Sequence, residues 1–215
     1  MGSMKPGPIG ITDDSPGTNV TGVHQHFRRP GPIGMNLTDT ASSAKLEKGK
    51  GLKNKRLEEN KALLENKNVK AFLAAISAAE GGGYDFKYGA VKGKKDDKWR
   101  FSDFSTHPGA GFNGKITAAG LYQINRDTWK EMGGKMGLSD FSPMTQDLIA
   151  VEILRTIGAI DNIESGDVSS ALSHASRRWS SLPQGAGMAG RYPPQPYMNY
   201  DDFVGTYKTN GGSTK

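Results

Sequence analysis

The 215-residue chain contains no cysteine, which excludes disulfides, thiolate nucleophiles and cysteine-ligated metals. Histidine is scarce. Only His24, His26, His107 and His174 are present, and they show no shared ligand spacing, so neither a metal nor another cofactor is expected. The alternate-position pair His24 and His26 is read as incidental. No apolar run approaches the twenty or so residues that a membrane helix needs. The start, Met1-Gly2-Ser3-Met4-Lys5-Pro6, lacks the apolar core of a secretory leader. Any site of action outside the cytoplasm is therefore expected to require another delivery agent. Charge is present but not concentrated: of a net +6, residues 1–66 hold ten Lys/Arg against seven Asp/Glu, which accounts for half. A diffuse excess with a pI near 9.4 suits attraction to polyanions without choosing among them. No nucleic-acid-binding motif accompanies it, so nucleic acid is not an expected partner.

What is present divides the chain. Residues 1–44 are rich in Pro, Gly, Ser, Thr and Asn and poor in large apolar side chains, too poor to offset ordering entropy. They read as an extended arm. An element repeats within it, Lys5-Pro6-Gly7-Pro8-Ile9-Gly10 through Asp13 and Arg29-Pro30-Gly31-Pro32-Ile33-Gly34 through Asp39, each copy a cation, PGPIG and an ending in Thr-Asp. Two proline-stiffened copies, each showing one Ile, have the form of a bivalent docking tail; a low-complexity linker is the plainer alternative. Residues 45–66 are Lys/Glu/Leu-rich and predict a charged helical linker, interrupted near Gly49 and Gly51. A single folded domain is expected over 67–213, acting as a monomer.

In that domain a first helix is expected to be capped by Asn68 and to end at Gly81-Gly82-Gly83. Tyr84 to Thr117 is aromatic and glycine-rich without helical period, which suggests a small hairpin with long loops. Helices follow at Asn125–Met136, from Ser142-Pro143 to Gly158, and after Asp167. The fold class is thus α+β, mostly α, with a small hairpin or loop lobe after the extended arm.

Glu80 stands out. Val69, Phe72, Leu73 and Ile76 form an apolar helical stripe, and Glu80 continues it at helical spacing. An acid on an apolar face is desolvated, and in the last turn of a helix it meets the negative end of the dipole. Both effects raise its pKa, as a general acid at neutral pH requires. The alternative is a glutamate turned to solvent at a fraying helix end. Further on, Thr117-Ala118-Ala119-Gly120-Leu121-Tyr122-Gln123-Ile124 combines small residues, a ring and an amide, the mixture a polysaccharide cleft needs. Alone, it reads equally as a turn before a helix.

Together with Phe101-Ser102-Asp103-Phe104-Ser105-Thr106-His107-Pro108, Gly137-Leu138-Ser139-Asp140-Phe141-Ser142-Pro143 through Asp147, and Trp179-Ser180-Ser181-Leu182-Pro183, these strings come in an order that resembles the phage lambda endolysin family. Members of that family are lysozyme-fold lytic transglycosylases that cut peptidoglycan. The resemblance spans about Asn68 to Gly212. It departs at the insertion of Gln184 before Gly185-Ala186-Gly187 and along Arg191–Tyr197, and the duplicated arm has no counterpart in it.

By resemblance, the expected fold is lysozyme-like and Glu80 is the catalytic acid. Gly120, Tyr122 and Gln123 would line the sugar cleft, with Trp179 in the Trp-x-Ser-Leu-Pro segment. Glu80 would serve as both acid and base, closing a 1,6-anhydro ring on N-acetylmuramic acid. Hydrolysis is the rival and would need a second acid, for which Asp103 is the candidate. A non-catalytic wall-binding component of a phage tail or secretion spike is the reading from another class. Made in the bacterial cytoplasm, the chain would reach the wall through a holin, on a virion or by secretion, and its arm would dock on that particle or apparatus.

Overall fold

A computed structural model describes residues 37–215, with side chains from residue 42 onward. The PGPIG copies and residues 1–36 of the expected arm lie outside the described residues. The arm's expected end at residue 44 is corrected, because Leu37–Glu65 forms one 29-residue helix, α1. Gly49 and Gly51 do not interrupt it. Each glycine in a helix interior costs about 1 kcal/mol relative to alanine. Here the flanking Lys, Leu, Ala and Glu residues favour helix, and pairs such as Lys50 with Glu47 and Lys61 with Glu58 support it.

The other helices are α2 (Lys67–Glu80), α3 (Arg126–Met136), α4 (Pro143–Thr156), α5 (Ile160–Glu164), α6 (Val168–Ala175) and α7 (Tyr200–Thr209). The cap of α2 is Asn66, whose side chain accepts from the backbone N–H groups of Asn68 and Val69. The expectation of Asn68 as cap is two residues late. Asn68 is inside the helix and buried, where it donates to the Glu164 carbonyl and accepts from Ser213 N–H, joining the start of α2 to the end of the chain.

The apolar face of α2 is the centre of the molecule: Val69, Phe72 and Ile76 are fully buried. Helix α7 packs on it, with the Phe72 ring edge-on to Phe203 at 5.0 Å and to Tyr207 at 6.4 Å. Leu148, Ile149 and Leu154 of α4 and Leu172 of α6 complete the core. The hairpin expected within Tyr84–Thr117 reduces to isolated antiparallel bridges, Phe86 with Arg100 and Lys87 with Ala119, and a further bridge joins Ala119 to Ile124. The segment spends its polar groups on turns instead: buried Asp97 accepts from the backbone N–H groups of Val91 and Trp99. The lobe is therefore a knitted loop layer lying against the C-terminal end of α2.

Candidate active site

Helix α2 stops at Glu80 because Gly81 takes the left-handed conformation, φ +65°, and returns its N–H to the Ser77 carbonyl. The chain turns away at once and Glu80 is left half-buried at the helix end. Its carboxyl pKa is raised by burial, and a hydrogen bond from the Ser181 hydroxyl, 2.5 Å to Oε1, opposes the rise without cancelling it. No cation enters the balance. Glu80 thus favours its protonated form to higher pH than a free glutamate, and Oε1 is engaged by the protein.

The second turn is pressed against the first. A Cβ on Gly82 would stand 2.9 Å from the Gly120 carbonyl oxygen and 3.1 Å from that of Leu121, so only glycine lets the two backbones meet. Gly120 is held equally tightly: its φ is +76°, and a Cβ there would overlap the Gln146 side chain. Gln146, fully buried, accepts from Leu121 N–H and donates to the Tyr84 and Phe141 carbonyls. One amide thereby joins three loops. Gln123 follows with φ +48°, a strained value for a side-chain-bearing residue, and its Nε2 donates to the Gly120 carbonyl.

A cleft of about 560 Å³ opens at this junction, lined by Glu80, Gly81, Gly82, Phe86, Lys87, Tyr88, Gly89, Ala90, Ile116, Ala118, Gln123, Asn125, Arg178, Trp179, Ser180 and Gln195. Of the expected site residues, Glu80, Gln123 and Trp179 line it. Tyr122 is no platform for a sugar ring. It is 4 % exposed, and its hydroxyl donates to Asp147 Oδ1 at 2.8 Å, beside a second donation from Tyr84. Burial raises the Asp147 pKa against those two hydrogen bonds. Trp179 is also buried at 4 %; its indole N–H donates to the Tyr122 carbonyl, so it is a wall and brace rather than a free stacking surface. Gly120 serves close packing. Asp103 is exposed, outside the cleft lining, and closed in a turn in which it accepts from Ser105 N–H; hydrogen bonds from Ser105 lower its pKa. His107 is structural: Gly109 N–H donates to Nδ1 and Nε2–H to the Ile124 carbonyl, and burial lowers its pKa. Among the described residues no metal-holding cluster occurs.

Sequence reasoning missed Ser181, Asp147 and Gln146. Ser181 stood inside the Trp-Ser-Ser-Leu-Pro string, but no local pattern ties its hydroxyl to an acid 101 positions away. Gln146 and Asp147 closed the string that begins at Gly137, but their roles depend on Leu121 and Tyr122, each 25 positions away, which local pattern does not show.

Comparisons with known proteins identify relatives of the chain. The Endolysin family model matches residues 70–214. The endolysin of Escherichia phage P2 is 33 % identical over 165 residues, covering 68 % of this chain and 94 % of that protein. The endolysin of Escherichia phage lambda is 32 % identical, covering 70 % of this chain and 95 % of that one. Among solved structures, the bacteriophage lambda lysozyme complexed with a chitohexasaccharide superposes with a TM-score of 0.58 at 31 % identity, over 70 % of this chain and 97 % of that chain. A second structure of the lysozyme from bacteriophage lambda gives 0.55 at 28 % identity.

Proposed function

The chain belongs to the endolysin family, lysozyme-like enzymes that degrade peptidoglycan, and from that premise we propose that it is a lytic transglycosylase in which Glu80 is both general acid and general base. The observation that carries the reading is a single desolvated carboxylate, held by Ser181, in a cleft whose lining contains no other acid.

The chemistry follows from that scarcity. Protonated Glu80 gives its proton to the bridging oxygen between N-acetylmuramic acid and N-acetylglucosamine, the C1–O bond breaks, and the C1 centre becomes oxocarbenium-like. The leaving sugar departs as an alcohol. The 6-hydroxyl of the same muramic acid attacks C1 and passes its proton to the Glu80 carboxylate, which regenerates the acid and closes a 1,6-anhydro ring. No water is consumed and no second carboxylate is required. Ser181 assists both halves: its hydroxyl holds Oε1 so that Oε2 faces the substrate, and it stabilises the carboxylate that exists between the two proton transfers. Gln123, fixed by its bond to the Gly120 carbonyl, and Asn125 offer amides to the sugar hydroxyl and acetamido groups.

Hydrolysis requires an acid placed to activate water across the sugar ring, and exposed Asp103, occupied by Ser105, does not line the cleft. Mass spectrometry of digested peptidoglycan decides: 1,6-anhydro ends are expected, and reducing muramic-acid ends would overturn the mechanism and return Asp103 to consideration. The site of action is the cell wall. No helix of the described residues is long and apolar enough to cross a membrane.

A further inference from the structure

Two cations line the cleft, Lys87 from the loop lobe and Arg178 from the turn after α6, and neither makes a side-chain ion pair or hydrogen bond among the described residues. They do not act on the acid. The Glu80 carboxyl answers to burial and to Ser181, with no contribution from either cation. Lys87 has one minor internal effect, on His107, where burial dominates. A chain of N-acetylated hexoses is uncharged and offers these cations hydrogen-bond acceptors but no counter-charge.

Among the described residues, some cations of the domain are taken up by acids, Arg56 by Glu152, Arg100 by Asp85 and Arg155 by Glu59, and others lie unpaired on the outer surface; what sets Lys87 and Arg178 apart is their place in the cleft lining. Lys87 and Arg178 are left free within the lining that also contains Glu80, on two different segments of it. Resting on the peptidoglycan reading, we infer that Lys87 and Arg178 are specificity-determining residues that bind the carboxylates of the peptide stems hanging from the muramic acids. Arg178 is exposed and Lys87 half-buried, so each contact is screened and modest. Two acting together give about a tenfold preference for acidic stems at low salt, fading as salt rises.

The test uses the full chain with Glu80→Gln to prevent turnover, and three soluble probes. These are stem-bearing glycan fragments, the same fragments with their carboxyls converted to amides, and a chitohexasaccharide. The native fragments should bind about tenfold more tightly than the amidated ones at low salt. Lys87→Gln combined with Arg178→Gln should collapse that ratio toward one, with the Tm unchanged. Equal binding of native and amidated fragments would overturn the assignment, as would a ratio that survives in the double variant. Salt-sensitive binding of the chitohexasaccharide would also count against it, by placing the cations on the sugar. Failure of the parent reading is a separate result: the unmodified chain would then release no product from intact peptidoglycan, whatever the binding ratios show.

Discussion

Glu80 and Glu152 are both glutamates drawn out of water on helices, and they are pushed in opposite directions. Glu80 ends α2, where burial raises its pKa and only a serine hydroxyl opposes. Glu152, in the middle of α4, is completely buried, and burial alone would raise it further. Instead its pKa is lowered, because Arg56 donates to both of its oxygens at 2.8 Å and Asn60 donates to Oε2 at 2.8 Å. The difference shows that burial does not set the charge of an acid; the partners supplied with it do. A carboxylate held by a cation and an amide fastens α1 to the domain, and an under-partnered one is left ready to give up a proton. Only Glu80 opens onto a cleft. The matched family residues begin at Lys70, so the cation and amide that hold Glu152 come from a helix preceding that region.

The largest effect should come from removing the acid itself. Glu80→Gln keeps shape and the acceptor for Ser181 but cannot give a proton, so peptidoglycan turnover should fall by about three orders of magnitude while saccharide binding persists. Turbidity loss of purified walls measures the first and calorimetry the second. Undiminished lysis would end the comparison, because Glu80 would then be merely another buried carboxylate.

Next is the structural partner. Arg56→Met leaves Glu152 buried with Asn60 and with Lys135, 3.9 Å away, so unfolding free energy should drop by about 3 kcal/mol, the low end for a broken buried pair. Arg56 is 32 % exposed along its side chain, which also limits the loss. The folded-state pKa of Glu152 is depressed, so the stabilisation is present above the ordinary glutamate range and disappears as pH falls through the folded value. The gap in Tm between the unmodified chain and the variant should accordingly narrow in acid. A gap that stays constant with pH would show that Arg56 acts through packing rather than charge.

Both acids differed in how far the sequence revealed them. Glu80 was legible because three signals coincide on it: the α2 stripe, the glycine stop and its place among ordered motifs. The fold class, α3, α4 and the caps at Ser142 and Asp167 were legible for similar local reasons: α3 from its short apolar period and left-handed Gly137 stop, α4 and α6 from a capping side chain before an apolar run. Helix α7 was not, because Phe203 and Tyr207 are its only buried residues and a single i, i+4 pair makes no period. Tyr122 was misplaced because a ring followed by an amide looks alike whether it faces sugar or core; the deciding partner, Asp147, is 25 residues on. The role of α1 was hidden for the same reason, since Arg56 meets Glu152 across 96 positions. Long-range partners are what local pattern cannot supply.

Ser181 tests whether partners tune Glu80 as they tune Glu152. Ser181→Ala deletes the one hydrogen bond that favours the Glu80 carboxylate, so its pKa should rise further and the alkaline limb of the kcat/KM profile should move to higher pH. Turnover at neutral pH should fall about tenfold, since Oε1 is no longer held in place. A loss of rate without movement of the alkaline limb would assign Ser181 to positioning alone.

The smallest effect carries the opposite sign from the others. A raised folded-state pKa means that, between the ordinary glutamate value and the raised one, the folded chain holds a proton that the unfolded chain has released. Stability therefore falls as pH rises through that window, and at neutral pH Glu80 is a burden on the fold. Glu80→Gln has no such proton to lose. The inactive variant should melt a few degrees higher than the unmodified chain at neutral pH, with the advantage shrinking as pH drops below the ordinary glutamate range. The corresponding change at the other acid, Glu152→Gln, should lower the Tm at neutral pH, because it discards a charge that Arg56 and Asn60 are arranged to hold. If both glutamines shifted the Tm in the same direction, partner-set charge would not be what separates the two sites.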